Sequence, residues 1–441
     1  MKDELPQGWA TASLATLAEA RMGETILAKQ LTPTGIPVYS AGGENEPWGF
    51  FENPRKLLAK GAVVVSARGS IGFPKIPKVE RFASTQTTIT LQFPDQELAA
   101  YTCLWLKTVN WSSLTKGGAI PMLTVGDINE LVVPLAPLGE ERRIVAKLEK
   151  LLDKVDTCQE RLAKIPVLLK RFRQSVLAAA CSSRLTADWR AENPQREIER
   201  NTAPDDAPDV ALTWGWKRLS EISQLRGGVT KGRKFNGKKT VQLPYLRVAN
   251  VQDGYLDLRE IKLIEALPED KEKYALKVDD LLFTEGGDRD KLGRGTVWRG
   301  EIADCIHQNH IFRARLLTSE VVPDFISLAT KSDFSRRYFF ENASQTVNLA
   351  SINVTMLGAL PIPLPPLAEQ QEIVRRVEAL FALADQIEAR YAKAKAHVEK
   401  LGQSILAKAF RGELVPQDPN DEPASVLLAQ IRAGRVAFKR H

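Results

Sequence analysis

Cysteine is scarce: four residues, at 103, 158, 181 and 305, are scattered over 441 positions, and two of them fall inside a helical repeat. That scatter excludes a disulfide framework and suits free, buried thiols in a reducing cytoplasm. No apolar run approaches the ~20 residues of a membrane span, and the first twenty residues have no apolar leader core, so a cytoplasmic chain without a membrane partner is expected. Signatures of catalysis are missing too. There is no Asp/Asn-Pro-Pro-Tyr methyltransferase motif, no glycine fingerprint for a nucleotide cofactor, no Walker pair and no His-Glu-x-x-His. Cys305, His307 and His310 do not make a metal site, because in a strand the first two share a face and the third lies opposite, with no fourth ligand in view. Asp279 and Asp280 with Glu285 imitate a nuclease centre only loosely, since no lysine stands two residues beyond Glu285. We therefore expect no enzymatic activity, metal or cofactor in this chain alone.

What is present is a long stretch that occurs twice. Residues 137–185 and 366–414 align without a gap: Ile144-Val145 falls on Ile373-Val374, Leu151 on Leu380, Ser175 on Ser404 and Leu185 on Leu414. In the first copy Ile144, Leu148, Leu151, Val155, Cys158, Leu162, Ile165, Leu169, Phe172 and Val176 follow at alternating steps of four and three. Ile373, Val377, Leu380, Ala384, Ile387, Tyr391, Ala394, Val398, Leu401 and Ile405 carry the same pattern in the second, with Phe381 beside it. A sustained 4-3 seam with charge elsewhere is a coiled-coil pattern, and forty helical residues reach roughly 60 Å at ~1.5 Å each. Each helix lacks a comparable seam to pack on except its twin, so antiparallel pairing is expected; the alternative is that each packs only on its own domain. Pro166 should interrupt the first helix, whereas the second has Lys395 at that place.

The repeat extends into the globular parts. Gly8-Trp9 is matched by Gly215-Trp216, and the strand-like run around Val63 by that around Leu281. The second half carries more loop residues. The expected order is a globular domain over 1–136, a coiled-coil helix over 137–190, a Pro- and Asp-rich linker over 191–213, a second domain over 214–365, a second helix over 366–415, and a tail over 416–441 with a short helix at 424–432. Strands are expected over 62–67, 86–93, 130–134, 245–251, 281–284, 310–316 and 360–364, and helices over 97–109 and 323–341. The fold class is α+β: two globular domains separated by two long helices in an antiparallel coiled coil, with an internal pseudo-two-fold repeat.

Net charge is +7 with a pI near 9.1, a mild lean toward a polyanion. The stretch 226–239 concentrates it. Arg226, Lys231, Arg233, Lys234, Lys238 and Lys239 are interleaved with four glycines and Asn236, without an acid, a composition that lays cations and amides along phosphates or else makes a plain solvated loop. Arg68 and Ser70 follow the strand over 62–67 and Arg289 sits at the matching place in the second half; arginine suits guanine or phosphate, or the segment is a structural hairpin. Gln86 and Thr87, and Gln308 and Asn309, occupy corresponding strand positions and suit base edges or cross-strand pairing. Lys116, Gln345 and Asn348 lie in further polar loops with the same two readings.

Both halves end in Pro-Leu, then Pro-Leu-x-Glu (residues 134–140 and 363–369), and the helices close with Leu-Lys-Arg-Phe-Arg-Gln-Ser-Val-Leu at 169–177 and Gln-Ser-Ile-Leu-Ala-Lys-Ala-Phe-Arg-Gly-Glu-Leu at 403–414. In these motifs the chain resembles the specificity subunit of type I restriction–modification systems. The resemblance covers nearly the whole chain, most specifically in the helices. It implies two target recognition domains that read a split double-stranded DNA sequence, and helices that set the spacing and dock two methyltransferase subunits. Those would bring S-adenosylmethionine and methylate adenine, and two motor–nuclease subunits would cut using ATP and magnesium. The rival readings are a coiled-coil scaffold without specific DNA recognition and an orphan subunit serving methylation alone. The Arg233-Lys234 pair is expected to hold phosphates. Exchanging residues 1–136 for another family member's half is expected to change one half of the recognised sequence only; methylation mapping that shows both halves altered would contradict independent modules.

Overall fold

The computed structural model describes residues 5–114, 121–194, 196, 203–287, 292–345 and 350–438. The chain forms two compact units, residues 1–163 with 392–441, and residues 164–391.

In the first unit the run Val63–Ser66 is buried on every residue, because both of its faces are covered. Val63 and Val65 enter the main core with Ile89, Leu91, Leu98, Tyr101 and Leu106, while Val64 packs on the other side with Tyr39 and Phe82. A strand covered twice reads as a continuous apolar run instead of an alternating one. Its sheet has the order Glu19–Met22, Thr88–Gln92, Val63–Ser66, Gly72–Lys75, antiparallel throughout. A second sheet has the order Gly49–Phe51, Ile36–Tyr39, Arg81–Ser84, Leu58–Ala59, with a parallel central pair. Ala10–Ser13 pairs with Val132–Leu135, so the start and end of the globular part lie side by side. Helix Gln96–Leu106, capped by Asp95, covers the core.

The second unit repeats this plan. Its main sheet has the order Ser223–Gly227, Ile311–Leu316, Leu281–Thr284, Gly295–Val297. Lys262–Ala266, Val241–Leu246 and Ile306–His307 form the second sheet, again with one parallel pair, and Gly215–Arg218 closes on Pro361–Leu364. Two expected elements change. The strand over 245–251 stops at Leu246, because buried Asn250 accepts from Arg247 N and donates to the carbonyls of Asp257 and Glu260, winding 248–250 into a 3-10 turn. The single helix over 323–341 is two, Pro323–Thr330 and Asp333–Asn342, because Ser332 turns extended and its hydroxyl caps Ser335 N.

The first long helix breaks at Lys164 into Leu138–Ala163 and Ile165–Cys181, with Pro166 in the opening turn of the second piece, where its missing N–H costs nothing. Its counterpart, Leu367–Ala409, is continuous over 43 residues. The pairing is antiparallel within each unit. In the first, Leu148 shares a core with Leu406, and Val155 lies beside Gly402. In the second, Val176 shares a core with Val377, Arg173 bonds Asp385 at 2.7 Å and Glu388 at 2.8 Å, and Arg376 bonds Asp188 at 2.7 Å. The strict 4-3 seam needs correction. Leu148, Val155, Leu169 and Val377 are buried, and Leu151, Leu162, Phe172, Leu380, Phe381 and Ile405 are half-buried. Ile387 and Leu401 are exposed, as is Cys158, and Leu406 is buried instead. A straight helix drifts ~20° per heptad from a 3.5-residue repeat, so the buried stripe walks off the seam. All four cysteines are free, though Cys158 is not buried. The expected tail helix is longer, Ala424–Phe438, and seats Ala424, Leu428 and Ile431 in the first core. Among the described residues no helix is long and apolar enough to cross a membrane.

The two helix starts differ in one buried pair. Trp9 Nε1–H donates to Glu140 at 3.1 Å, and the matching Glu369 is paired with Arg190 and accepts from Thr186 at 2.7 Å. Next to them Gln370 is fully used, accepting from Val322 N and donating to the carbonyls of Glu320 and Pro365. Its counterpart Glu141 is 1% exposed, and neither carboxyl oxygen has a hydrogen-bond partner. Burial, with Asp95 and Glu97 adding repulsion, pushes Glu141 up to about 9 from the ordinary 4.5. The folded state thus holds a proton that the unfolded chain releases near pH 4.5. This penalty is absent below that pH, grows as pH rises and is complete near 9. Glu141→Gln, which restores the second repeat's residue, is expected to raise the Tm, with the gain over wild type larger at pH 8 than at pH 5 in thermal melts; a gain independent of pH would contradict a buried neutral carboxyl.

Candidate nucleic-acid interface

In both units the first strand of the main sheet runs into a glycine that lies against another backbone. A Cβ on Gly23 would stand 2.2 Å from the Thr85 carbonyl oxygen, and one on Gly228 would stand 1.8 Å from that of His307. The close approach lets the next residue pair in parallel with the turn that opens the central strand: Glu24 with Thr85, and Val229 with Gln308. Met-Gly-Glu-Thr at 22–25 and Gly-Gly-Val-Thr at 227–230 carry the signal, a Gly-x-Thr that could have been found in the sequence. The result is one sheet end built twice, where three segments meet: the loop after the first strand, the turn at 85–87 or 308–310, and the segment after 63–66 or 281–284.

The side chains at the two ends differ. In the first unit Thr87 is half-buried in a hydroxyl cluster, 2.6 Å from Thr85 Oγ1 and 3.2 Å from Ser40 Oγ. Gln86 accepts from Ile26 N at 3.3 Å. These two therefore serve the turn itself, the cross-strand alternative of the sequence reading. Arg68 and Ser70 are exposed, and among the described residues the Arg68 side chain makes a weak 3.3 Å contact with Met122 Sδ. The sequence reading missed Lys75. Its ammonium is buried and donates to the carbonyls of Ser40, Gly42 and Glu44 at 3.1, 3.1 and 2.8 Å, pinning the 40–44 loop. Burial lowers its pKa, with Glu44 acting the other way. A Gly-Phe-Pro-Lys strand gives no outward sign of that role.

In the second unit the basic loop joins the same end, since Val229 N–H donates to His307 O at 2.8 Å and Asn309 N–H to Val229 O at 3.0 Å. Asn236 and glycines 232 and 237 adopt positive φ, which makes the loop a run of tight turns. Lys231, Lys234, Lys238 and Lys239 are exposed, and their ammonium groups have no partner among the described residues. Arg226 is half-buried and donates to the Lys273 carbonyl at 3.1 Å. Gln308 and Asn309 are half-buried in the turn; the Asn309 amide lies 3.3 Å from His310 Nε2, and His310 Nδ1 pairs with Glu285. Lys116, Arg289 and Asn348 lie outside the described residues, and Gln345 is placed only by its backbone, in the short strand Ser344–Gln345.

Apart from the Glu285–His310 pair, the acids and histidines singled out as catalytic or metal-binding alternatives do not converge on one centre. Asp280 holds Arg315 through two 2.7 Å bonds and Asp279 pairs with Arg299, both at the opposite end of Leu281–Thr284 from Glu285. His307 is buried, bonded to Ile311 O at 2.9 Å, and burial pushes it down to about 4. Among the described residues no group of three or more His, Cys, Asp or Glu could hold a metal.

Arg233 is the main correction. Its guanidinium is engaged with the buried carboxylate of Asp270, which also accepts from Leu267 N at 2.8 Å, and it lies over the Phe235 ring at 5.6 Å. An arginine tied to a buried acid anchors the loop, with two of its five donors committed to that acid. Arg233→Ala is expected to destabilise the protein by roughly 2 kcal/mol, the cost of removing charge-assisted hydrogen bonds from a buried group. Lys234→Ala should leave the melting temperature unchanged; equal melts for the two variants would contradict this division.

A family model described as "Type I restriction modification DNA specificity domain" matches residues 6–167 and 212–396. The chain is 34% identical over 339 residues to the type I restriction enzyme EcoKI specificity subunit of Escherichia coli K12, covering 74% of this chain and 68% of that one. It is 29% identical to the StySPI specificity subunit of Salmonella potsdam over 99% and 97% of the two chains. Two solved structures share the fold at 20% identity. One is a chain from a type I R-M system studied for its complex assembly, with a TM-score of 0.67 over 93% of this chain and all of that one; the other is the HsdS subunit of Thermoanaerobacter tengcongensis, with 0.55 over 93% and 98%. The repeated sheet end, the paired long helices and these matches agree: the chain belongs to the type I restriction modification DNA specificity domain family and carries that domain twice.

Proposed function

We propose that this chain is the DNA-reading subunit of a type I restriction–modification complex and recognises two short sequences separated by a gap. The observation that carries the reading is the sheet end built twice with different side chains. One scaffold presenting two unlike rims calls for an asymmetric, bipartite target. The four free lysines of the 231–239 loop suit the phosphates, where cations displace counterions regardless of sequence. The segments after the central strands and, in the second unit, the turn with Gln308 and Asn309 suit base edges.

On this reading methyl transfer and cleavage belong to partners. Two methyltransferase subunits would dock on the long helices and supply S-adenosylmethionine for adenine methylation, and two motor–nuclease subunits would add ATP- and magnesium-dependent restriction. The relatives named as specificity subunits support that division of labour.

The test is methylation mapping of the complex by single-molecule sequencing. A gapped consensus is expected; a scaffold without DNA recognition yields none. Replacing Lys231, Lys234, Lys238 and Lys239 together by alanine should weaken binding to all sequences alike. The slope of log affinity against log salt should shrink by about 0.9 for each phosphate that is no longer neutralised. An unaltered slope would remove this loop from the interface.

A further inference from the structure

The end of the second unit holds one feature that a phosphate-binding rim does not explain. At the sheet end that the basic loop joins stands a carboxylate, Glu285, paired with His310 Nδ1. The pair occupies a defined place in the repeat. Glu285 N–H donates to His310 O at 3.0 Å, the same ladder bond that Ala67 N–H makes to Thr87 O at 2.8 Å in the first unit. There the scaffold carries a buried methyl group and a hydroxyl; here it carries an acid and an imidazole, half exposed.

Glu285 accepts from the Nδ1–H of His310, and His310 Nε2 lies 3.3 Å from the Asn309 amide nitrogen. Both imidazole nitrogens are thereby used. The second carboxylate oxygen of Glu285 has no partner among the described residues, and it is a pure hydrogen-bond acceptor. Set against a phosphate it would be repelled. Set against base edges it needs a donor. The major groove offers two, the amino groups of cytosine N4 and adenine N6. Adenine places the N7 lone pair beside its amino group, which opposes a carboxylate, whereas cytosine has only C5–H there.

Resting on the reading of the chain as a DNA-recognition subunit, we propose that Glu285, held in place by His310, reads a cytosine amino group in the half-site bound by the second unit. Its charge also penalises sequences that present an acceptor there, so the pair both favours one base and rejects others.

The experiment uses the full chain in complex with its methyltransferase subunits. Methylation mapping of wild type is compared with Glu285→Ala and His310→Ala, and melting temperature is followed for each. Wild type should return a gapped consensus whose second-unit half, identified as the half unchanged by exchange of residues 1–136, contains a cytosine. Glu285→Ala should relax that single position by about five- to a hundredfold. It should also raise affinity for sequences lacking the cytosine, because a repelling charge has gone. His310→Ala should relax the same position to a smaller extent, as expected of a positioning residue. A half-site without cytosine, an unchanged consensus, or a uniform loss of affinity with a lowered melting temperature would each overturn the assignment. If wild type itself gives no gapped consensus, the functional reading fails first, and the two failures are told apart.

Discussion

Neither globular half closes its core alone. In the first unit Ile144 and Leu148 come from one long helix and Leu406 and Ala409 from the other; in the second, Val176 and Ala180 are joined by Ile373 and Val377. Each large apolar side chain taken from water contributes about 1.5–3 kcal/mol, so removing either helix strips several such contributions from a core. The charged pairs along the helices are secondary. Arg173 with Asp385 and Glu388 is partly solvated, and such pairs select register more than they add stability.

This dependence fixes the start of each helix and, through it, the sheet. The Gly8-Trp9 and Gly215-Trp216 strands pair with the strands that lead into the helices. The main sheets then repeat in order and sense. At their ends Gly23 and Gly228 admit a backbone so closely that no side chain fits, and the next residue must pair in parallel with the turn beyond. The scaffold is thus determined by packing, and the loops set on it are free to differ. In one unit Lys75 and three hydroxyl groups tie them down; in the other Arg233 and Asp270 anchor a loop whose lysines have no partner among the described residues.

Much of this was legible in the residues, and what was not has a physical reason. The helix pairing, the break at Pro166 and the match of Val63 with Leu281 follow from periodicity and from proline's missing donor. The full burial of Ile144 and Ile373 fits the seam, but Leu401 and Leu406 exchange roles because helical drift is a three-dimensional effect. Arg233 and Lys234 look equivalent in a basic loop. They part company only because Asp270, from a distant helix, reaches one of them. Thr87 reads as a base contact until Ser40 and Thr85 are found beside it.

The sequence by itself determined the repeat, the two long helices, the absence of recognisable catalytic and metal-binding patterns, and the stretch where positive charge gathers, because these depend on spacing and residue type along one chain. Only the tertiary structure decided which cations are free and which are spent on internal acids. It also decided that Glu141 is stranded while Gln370 is satisfied, and that Glu285 meets His310. Those outcomes depend on which remote groups come within hydrogen-bonding reach, and no local pattern encodes that.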